Sequence, residues 1–439
     1  MAKFRHSRSV GKDTFDVVFL LPPRLEFVTL ASSLFSQLAK KGISMIPIIT
    51  SSAVSNWEEI ESKFTSSRIP FKKLTDFRDK TSTQILILFK PRLTITDNDL
   101  MNVDKTFVFS GKHLNIPTMV IRETKSVLKT QVSYSWLLSE ILSKLNQMPR
   151  LVKLYMFYIR SIAAVQPTLL LNTPRTSRIL LRGFEDGVVG KYADYILANT
   201  QEDAEALKKH CPHAKFIRAV GNPRFDETIN QRINDSLQAG KEIKGMFKIP
   251  LNKKIVLFLS SAQVEHGILT KEQKNQADQQ ILSAIERLKE KLDFHLIIKL
   301  HPMEKNLFPL VWKPEYDKYI HITTYELSRL IMASDIVISW FSTAMINVVV
   351  ARKPLIVINF HHEREVGKPL PSTLAIADSK AAIEVTDANE LHKSLVSMFN
   401  DKEFREKIKQ SQDAFHDTYL KTIDGNSIIR IAAAIQEIL

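Results

Sequence analysis

The chain has 439 residues, with 61 Lys and Arg against 47 Asp and Glu, a formal net charge of +14 and a sequence pI near 9.5; 44% of its residues are hydrophobic and 25% charged. That length exceeds one ordinary hydrophobic core and allows two or three domains, and the composition excludes a disordered or fibrous chain. The single cysteine, Cys211, excludes an internal disulfide framework and a cysteine-rich zinc site, while the positive excess favours polyanionic partners without choosing among phosphorylated substrates, acidic polysaccharide, an anionic leaflet and nucleic acid.

Residues 1–12 are basic, but the apolar run at 15–21 is short and meets Pro22 and Pro23, so no signal peptide is expected and the cytoplasm is the expected compartment. Short β-rich runs then alternate with helical patterns, the sign of parallel βαβ units. Residues 16–21, 44–49, 84–89 and 118–121 read as strands, and 28–41 and 134–145 as helices. The apolar segment 151–162 carries Lys153 and Arg160 and falls short of the roughly 18 apolar residues of a membrane span. It reads as a buried core helix, with peripheral membrane contact as the secondary expectation. Residues 195–198 form a further strand, Thr200 and Asp203 a capping box opening a helix to 209, and 216–220 the last strand of this half. The polar stretch 227–250 shows little apolar periodicity and is read as a linker between a domain at 13–226 and one at 251–410.

The second half restarts the alternation. Strands are expected at 255–260, 294–300, 319–322, 336–339 and 355–359, and helices at 273–291, 343–351, 389–399 and 427–439, with Thr323 and Glu326 capping a short helix to 332. Two doubly wound α/β domains joined by a linker make a cleft, and ligands of open α/β sheets bind beyond the carboxyl ends of the strands. No helix-turn-helix, zinc spacing or stacking-aromatic basic patch speaks for nucleic acid.

Four segments carry candidate chemistry. Lys299-Leu300-His301-Pro302 ends a strand, where Pro302 fixes the turn and His301 can serve a ribose or phosphate oxygen or act as a general acid; a structural turn is the plain alternative. Ser334 to Thr343 reads as a strand running into a helix, so that Ser342 and Thr343 either meet a phosphate or act as ordinary N-caps, with Asn347 one turn on. In this order, and followed by Lys353-Pro354-Leu355-Ile356-Val357, these two segments resemble the donor half of GT-B glycosyltransferases. The likeness runs to CDP-glycerol glycerophosphotransferases, bacterial sialyl- and polysialyltransferases and capsule-forming transferases. Gly221-Asn222-Pro223-Arg224-Phe225-Asp226 resembles the entry to their second domain, and Asp424-Gly425-Asn426-Ser427 their terminal Asp-Gly-x-Ser element; the resemblance spans about residues 190–439.

The resemblance implies a metal-independent, cofactor-free transferase that moves a sugar or sugar-like unit from a nucleotide-activated donor, cytidine-linked in those families, to a glycan or lipid-linked acceptor. By it, His301, Ser342 and Thr343 hold the donor, and the C-terminal helices at 411–439 cross back to the first domain. The first half departs from the pattern: where glycerophosphotransferases carry Trp-His-Gly after a strand, this chain has Arg122-Glu123-Thr124. Candidates for the base are therefore Glu123, whose plain reading is a surface ion pair, and Glu185 and Asp186, whose Glu185-Asp186-Gly187 is similar to the acidic element of bacterial sialyltransferases and otherwise reads as a loop leading to Tyr192. Arg24 and Glu26 either stand at the acceptor-side position of a GT-B cleft or are exposed loop charges, and His266 and Arg364 are further phosphate candidates. His361-His362-Glu363-Arg364-Glu365 lacks helical metal-ligand spacing. Two other readings stay open: a non-hydrolysing UDP-N-acetylglucosamine 2-epimerase, in which a Glu would stand where this chain has Asn347, and a non-catalytic glycan- or nucleotide-binding protein.

Overall fold

The computed structural model describes residues 14–50, 57–77, 80–99, 102–122, 189–234, 236–265, 268–301, 303–304, 313–361 and 371–439. The chain splits into two units, one formed by Phe225–Gly425 and the other by the described residues up to Arg224 together with Asn426–Leu439. No helix among the described residues is long and apolar enough to cross a membrane.

The first unit is built on strands β1 (Val17–Leu21), β2 (Met45–Ile49), β3 (Lys72–Lys73), β4 (Leu93–Thr96), β5 (Thr118–Ile121), β6 (Tyr195–Ala198) and β7 (Phe216–Ala219). All pair in parallel, in the order β3-β2-β1-β4-β5-β6-β7. The crossovers are helices: α1 (Leu25–Lys40), α2 (Trp57–Ser66), α3 (Ser82–Phe89), α4 (Asn102–His113) and α5 (Gln201–His210). Period-two alternation sends Val17, Phe19 and Leu21 to one face and Val18 and Leu20 to the other, and each face builds its own core. The C-terminal helix, Ser427–Ile438, joins the first of these, with Ile431 and Ile435 fully buried against the α1 side.

The second unit opens with α6 (Pro223–Asn234) and α7 (Ser236–Met246), followed by β8 (Lys254–Leu259), α8 (Lys271–Lys289), β9 (Phe294–Lys299), β10 (Ile320–Thr323), α9 (Leu327–Ala333), β11 (Ile336–Trp340), α10 (Ala344–Val350), β12 (Leu355–Ile358), α11 (Pro371–Asp378), β13 (Ile383–Val385), α12 (Ala388–Asn400) and α13 (Lys402–Phe415). Its sheet is again parallel, ordered β10-β9-β8-β11-β12-β13. Ile255, Leu257 and Leu259 of β8 face one layer of helices, Val256 and Phe258 the other. Burying each such side chain contributes roughly 1.5–3 kcal/mol.

Several expectations are corrected. The run at 84–89 is helix α3: Thr81 and Gln84 close a full capping box, and Ile87 and Leu88, which point outward at 53% and 49% exposure, are no strand core. The strand of that region is β4. The expected linker at 227–250 is mostly helix, and Phe225, Ile229, Ala239 and Ile243 enter the core of the second unit. Thr323 does not cap α9; its Oγ1 accepts the Tyr325 amide, and Glu326 precedes the helix without a side-chain cap. The Thr200 box forms by half, because the Asp203 carboxylate is taken by Arg122. The expected helices at 134–145 and 151–162 lie outside the described residues.

Candidate functional site

In each sheet the crossover direction reverses between the first strand and the fourth, β1/β4 in one and β8/β11 in the other. In open α/β folds the crevice at that switch, beyond the carboxyl ends, is where ligands enter.

In the second unit, β9 leads into Leu300 and His301. The His301 amide donates to Glu304 Oε2 at 2.7 Å, and Glu304 Oε1 accepts the Ser260 hydroxyl at 2.7 Å. One carboxylate thus ties the ends of the adjacent strands β8 and β9. The half-buried His301 ring accepts the Met303 amide at Nδ1 (3.2 Å), which leaves the neutral ring's proton on Nε2 and makes that atom a donor. Behind Glu304 lies a buried pair: Lys274 Nζ bonds both carboxylate oxygens of Asp278 at 2.7 and 2.6 Å and stands 3.9 Å from Glu304. Burial outweighs the lysine's attraction and pushes the Asp278 carboxyl up to about 6. Both residues sit in the first two turns of α8, which begins with a complete Thr270–Gln273 capping box.

Beyond β11 the chain turns at Phe341 and Ser342. Ser342 Oγ accepts the Ala344 amide at 3.2 Å; Thr343 takes the cap position of α10 with no side-chain cap bond, and both are half-buried. Asn347 is buried in α10. The plain N-cap reading therefore describes Ser342 in part, and Thr343 not at all. Two buried polar atoms near these strand ends, Gln263 Oε1 and Trp340 Nε1, have no hydrogen-bond partner within the protein.

The first unit's switch point is acidic. Asp97 and Asp99 follow β4 directly, and Asp104 lies in the first turn of α4. Asp99 is structural: its carboxylate accepts the amides of Gly190, Tyr192 and Ala193 at 2.7, 2.6 and 3.2 Å. That holds the turn in which Gly190 has φ +104°, where a Cβ would also stand 2.7 Å from Ile196. Burial raises the Asp97 carboxyl to about 6, with Arg24 working against it; Asp104 is pushed well up by burial and by the Asp97 charge. Asp104 Oδ1 has no hydrogen-bond partner. Further along the strand ends, Arg122 and Asp203 form an ion pair at 3.0 Å with each side chain only 4% exposed.

Of the residues singled out in the sequence, the structure gathers His301, Ser342 and Thr343 at the strand ends of one sheet, with Asn347 one turn into α10. Arg24 is an exposed residue after β1 within electrostatic reach of Asp97, and Glu26 falls in the first turn of α1. Glu123, Glu185, Asp186, His266, Pro302 and Arg364 lie outside the described residues. His361, at the start of the metal-suggestive run, bonds the Gln273 carbonyl at 3.0 Å. No group of three or more His, Cys, Asp and Glu among the described residues could hold a metal ion. Sequence reasoning missed Glu304, Lys274 and Asp278. A carboxylate three residues past His301, and an i,i+4 Lys/Asp pair just inside a capping box, were the available signals.

Comparison with known proteins fits this geometry. Residues 185–437 match the family model described as CDP-glycerol:poly(glycerophosphate) glycerophosphotransferase. Among solved structures, the wall teichoic acid polymerase TagF soaked with CDPG superposes with a TM-score of 0.56 at 14% identity, over 96% of this chain and 88% of that one. A UDP complex of S. aureus MnaA gives 0.54 at 15% identity over 94% of both chains, and UDP-GlcNAc 2-epimerase from Neisseria meningitidis gives 0.54 at 16% identity over 96% and 99%. At these identities the likeness shows the fold, which is of GT-B type. No curated protein matches the chain by sequence.

Proposed function

The chain belongs to the CDP-glycerol:poly(glycerophosphate) glycerophosphotransferase family, and from that premise we propose that it transfers a sugar or glycerol phosphate unit from a cytidine-activated donor to a hydroxyl of a surface glycan. The observation that carries this reading is the arrangement of Ser260, His301 and Ser342 at the strand ends around the β8/β11 switch, two of them tied by Glu304. The Ser260 hydroxyl and the His301 amide are given to Glu304, so the Ser342 hydroxyl and the His301 imidazole N–H are the donors assigned to the oxygens of a phosphate. The cytidine preference rests on the family description.

In the proposed reaction the acceptor hydroxyl loses its proton to a base. Its oxygen bonds to the transferred carbon or phosphorus, and the donor's bond to the nucleotide phosphate breaks, releasing CMP. His301 Nε2–H and the Ser342 hydroxyl stabilise the charge gathering on that phosphate, a contribution worth about 10²-fold per donor. For the base, Asp97 has support: it lies at the first sheet's switch point, and a carboxyl raised to about 6 is ionised yet still basic near neutrality. Glu123, Glu185 and Asp186 remain the alternatives suggested by sequence. The epimerase reading is disfavoured by Asn347, a neutral amide where a carboxylate would be needed. Incubating the protein with radiolabelled CDP-glycerol or a CMP-sugar and an oligosaccharide acceptor tests the proposal. CMP release that depends on acceptor supports it; epimer formation from UDP-N-acetylglucosamine, or nucleotide binding without turnover of any donor, would replace it.

A further inference from the structure

A second site lies on the second unit at the other end of its sheet. A cavity of about 270 Å³ opens at the amino end of β12, between the turn at Arg352 and helix α13. Because every strand of this sheet runs the same way, the cavity sits opposite the carboxyl ends that carry His301 and Ser342. Lys402, Arg405, Lys409 and Gln412 all line it, spaced three, four and three residues apart along α13, so the helix presents them as one stripe. Arg352 adds a fourth cation, and Glu406 is the one acid of the lining.

The cations divide by what already holds them. Arg352 is pinned, its Nε 2.7 Å from Asp413 and its Nη1 bonding the Gln412 carbonyl; Arg405 Nη1 caps the end of α12 through the carbonyls of Met398 and Phe399. Lys409 meets Glu406 only at 3.9 Å, and Lys402 makes no ion pair among the described residues; both are exposed. Arg232 contributes from behind, its own proton affinity lowered by burial and by the Arg352 charge. Two fixed guanidinium groups and two exposed ammonium groups around one cavity make a site for an anion.

Gln412 fixes α13 beside the cavity: it is fully buried, and its Nε2 donates to the carbonyls of Lys353 and Ala381. The volume lies just below the roughly 300–1,000 Å³ of sites for drug-sized ligands, which limits the occupant to one small unit. We infer that this cavity is a second binding site, distinct from the donor site, for a small phosphate ester whose phosphate lies against Lys402, Lys409 and Arg352. Such a group occurs free, as a polyol phosphate, or as one unit of a phosphate-bearing polymer.

Titration calorimetry on the full chain, first saturated with CDP, tests this with glycerol 3-phosphate in one arm and a short glycerol phosphate oligomer in the other. Binding of either probe in the presence of CDP is expected. It should weaken with added salt, and weaken about tenfold in Lys402→Glu/Lys409→Glu, the scale of two reversed exposed charge contacts. Preference for the monomer identifies a free metabolite as the occupant, and preference for the oligomer a polymer unit. If the reversed protein does not fold, Lys402→Gln/Lys409→Gln carries the test with a loss of about threefold. The inference is overturned if neither probe binds the wild type, if the variants bind unchanged, or if CDP abolishes the binding, which would place the probe in the donor site. The CDP titration that precedes each run reports on the donor site separately, so failure there leaves the second-site result readable.

Discussion

The two sheets share a winding order yet fill their switch points with opposite chemistry. Beyond β4 the first sheet gathers Asp97, Asp99 and Asp104; beyond β8, β9 and β11 the second gathers Ser260, His301 and Ser342, with Glu304 and Lys274 behind them. A fold that brings a ligand to strand ends does not specify that ligand; the few residues after each strand do. Carboxylates crowded in a buried place are suited to holding and passing a proton, whereas hydroxyls, amides and an imidazole N–H are suited to an anion.

The contrast can be broken by single substitutions. Asp97→Asn should lower kcat about 10³-fold if Asp97 is the base, while the thermal shift given by CDP stays that of the wild type; a variant with normal turnover would reduce the first switch point to structure. Asp203→Ala leaves Arg122 buried and unpaired and should cost about 3 kcal/mol in denaturant unfolding, with activity per folded molecule retained. A matching loss of turnover at unchanged stability would move that pair into the chemistry. His301→Ala should reduce kcat/KM about 10²-fold.

The pH profile sharpens the same division. A base must be ionised to accept a proton, so kcat/KM should fall about tenfold per pH unit below a midpoint near 6, where burial places the Asp97 carboxyl. Asp278 titrates near 6 as well, so Asp278→Asn is the control: the acid limb should persist there and vanish from the residual activity of Asp97→Asn. The smallest effect is expected at Thr270→Ala, which removes the cap of α8 and should lower stability by about 1 kcal/mol without altering the profile.

Much of the second unit could be read from the chain, because strands such as β8 and β11 are continuous apolar runs ending in polar turns, and fully buried parallel strands demand that pattern. The placing of His301 and Ser342 just beyond strands could be read for the same reason. The first unit hid its acids. β4 has four residues, two of them Thr, and follows Pro91, while the stronger apolar signal at 84–89 belongs to a helix. With 84–89 taken as the strand, nothing marks Asp97 as a strand-end carboxylate. Helices α6 and α7 were overlooked because only a few apolar positions, Phe225, Ile229, Ala239 and Ile243, anchor otherwise polar sequences. Gly425, at φ +88°, shows why a side chain at that place in the Asp424-Gly425 element would strain the backbone.

The central claim is that the strand ends of the second unit bind a cytidine nucleotide through His301 and Ser342. Thermal unfolding of the wild type and of His301→Ala/Ser342→Ala in the presence of CMP, CDP, UDP and GDP tests it directly. A ligand that binds only the folded state adds about 2.7 kcal/mol of stability at a hundredfold excess over its Kd. The account predicts that CMP or CDP raises the wild-type midpoint most and leaves the double variant unmoved; an equal shift in both proteins, or none with any nucleotide, would contradict it.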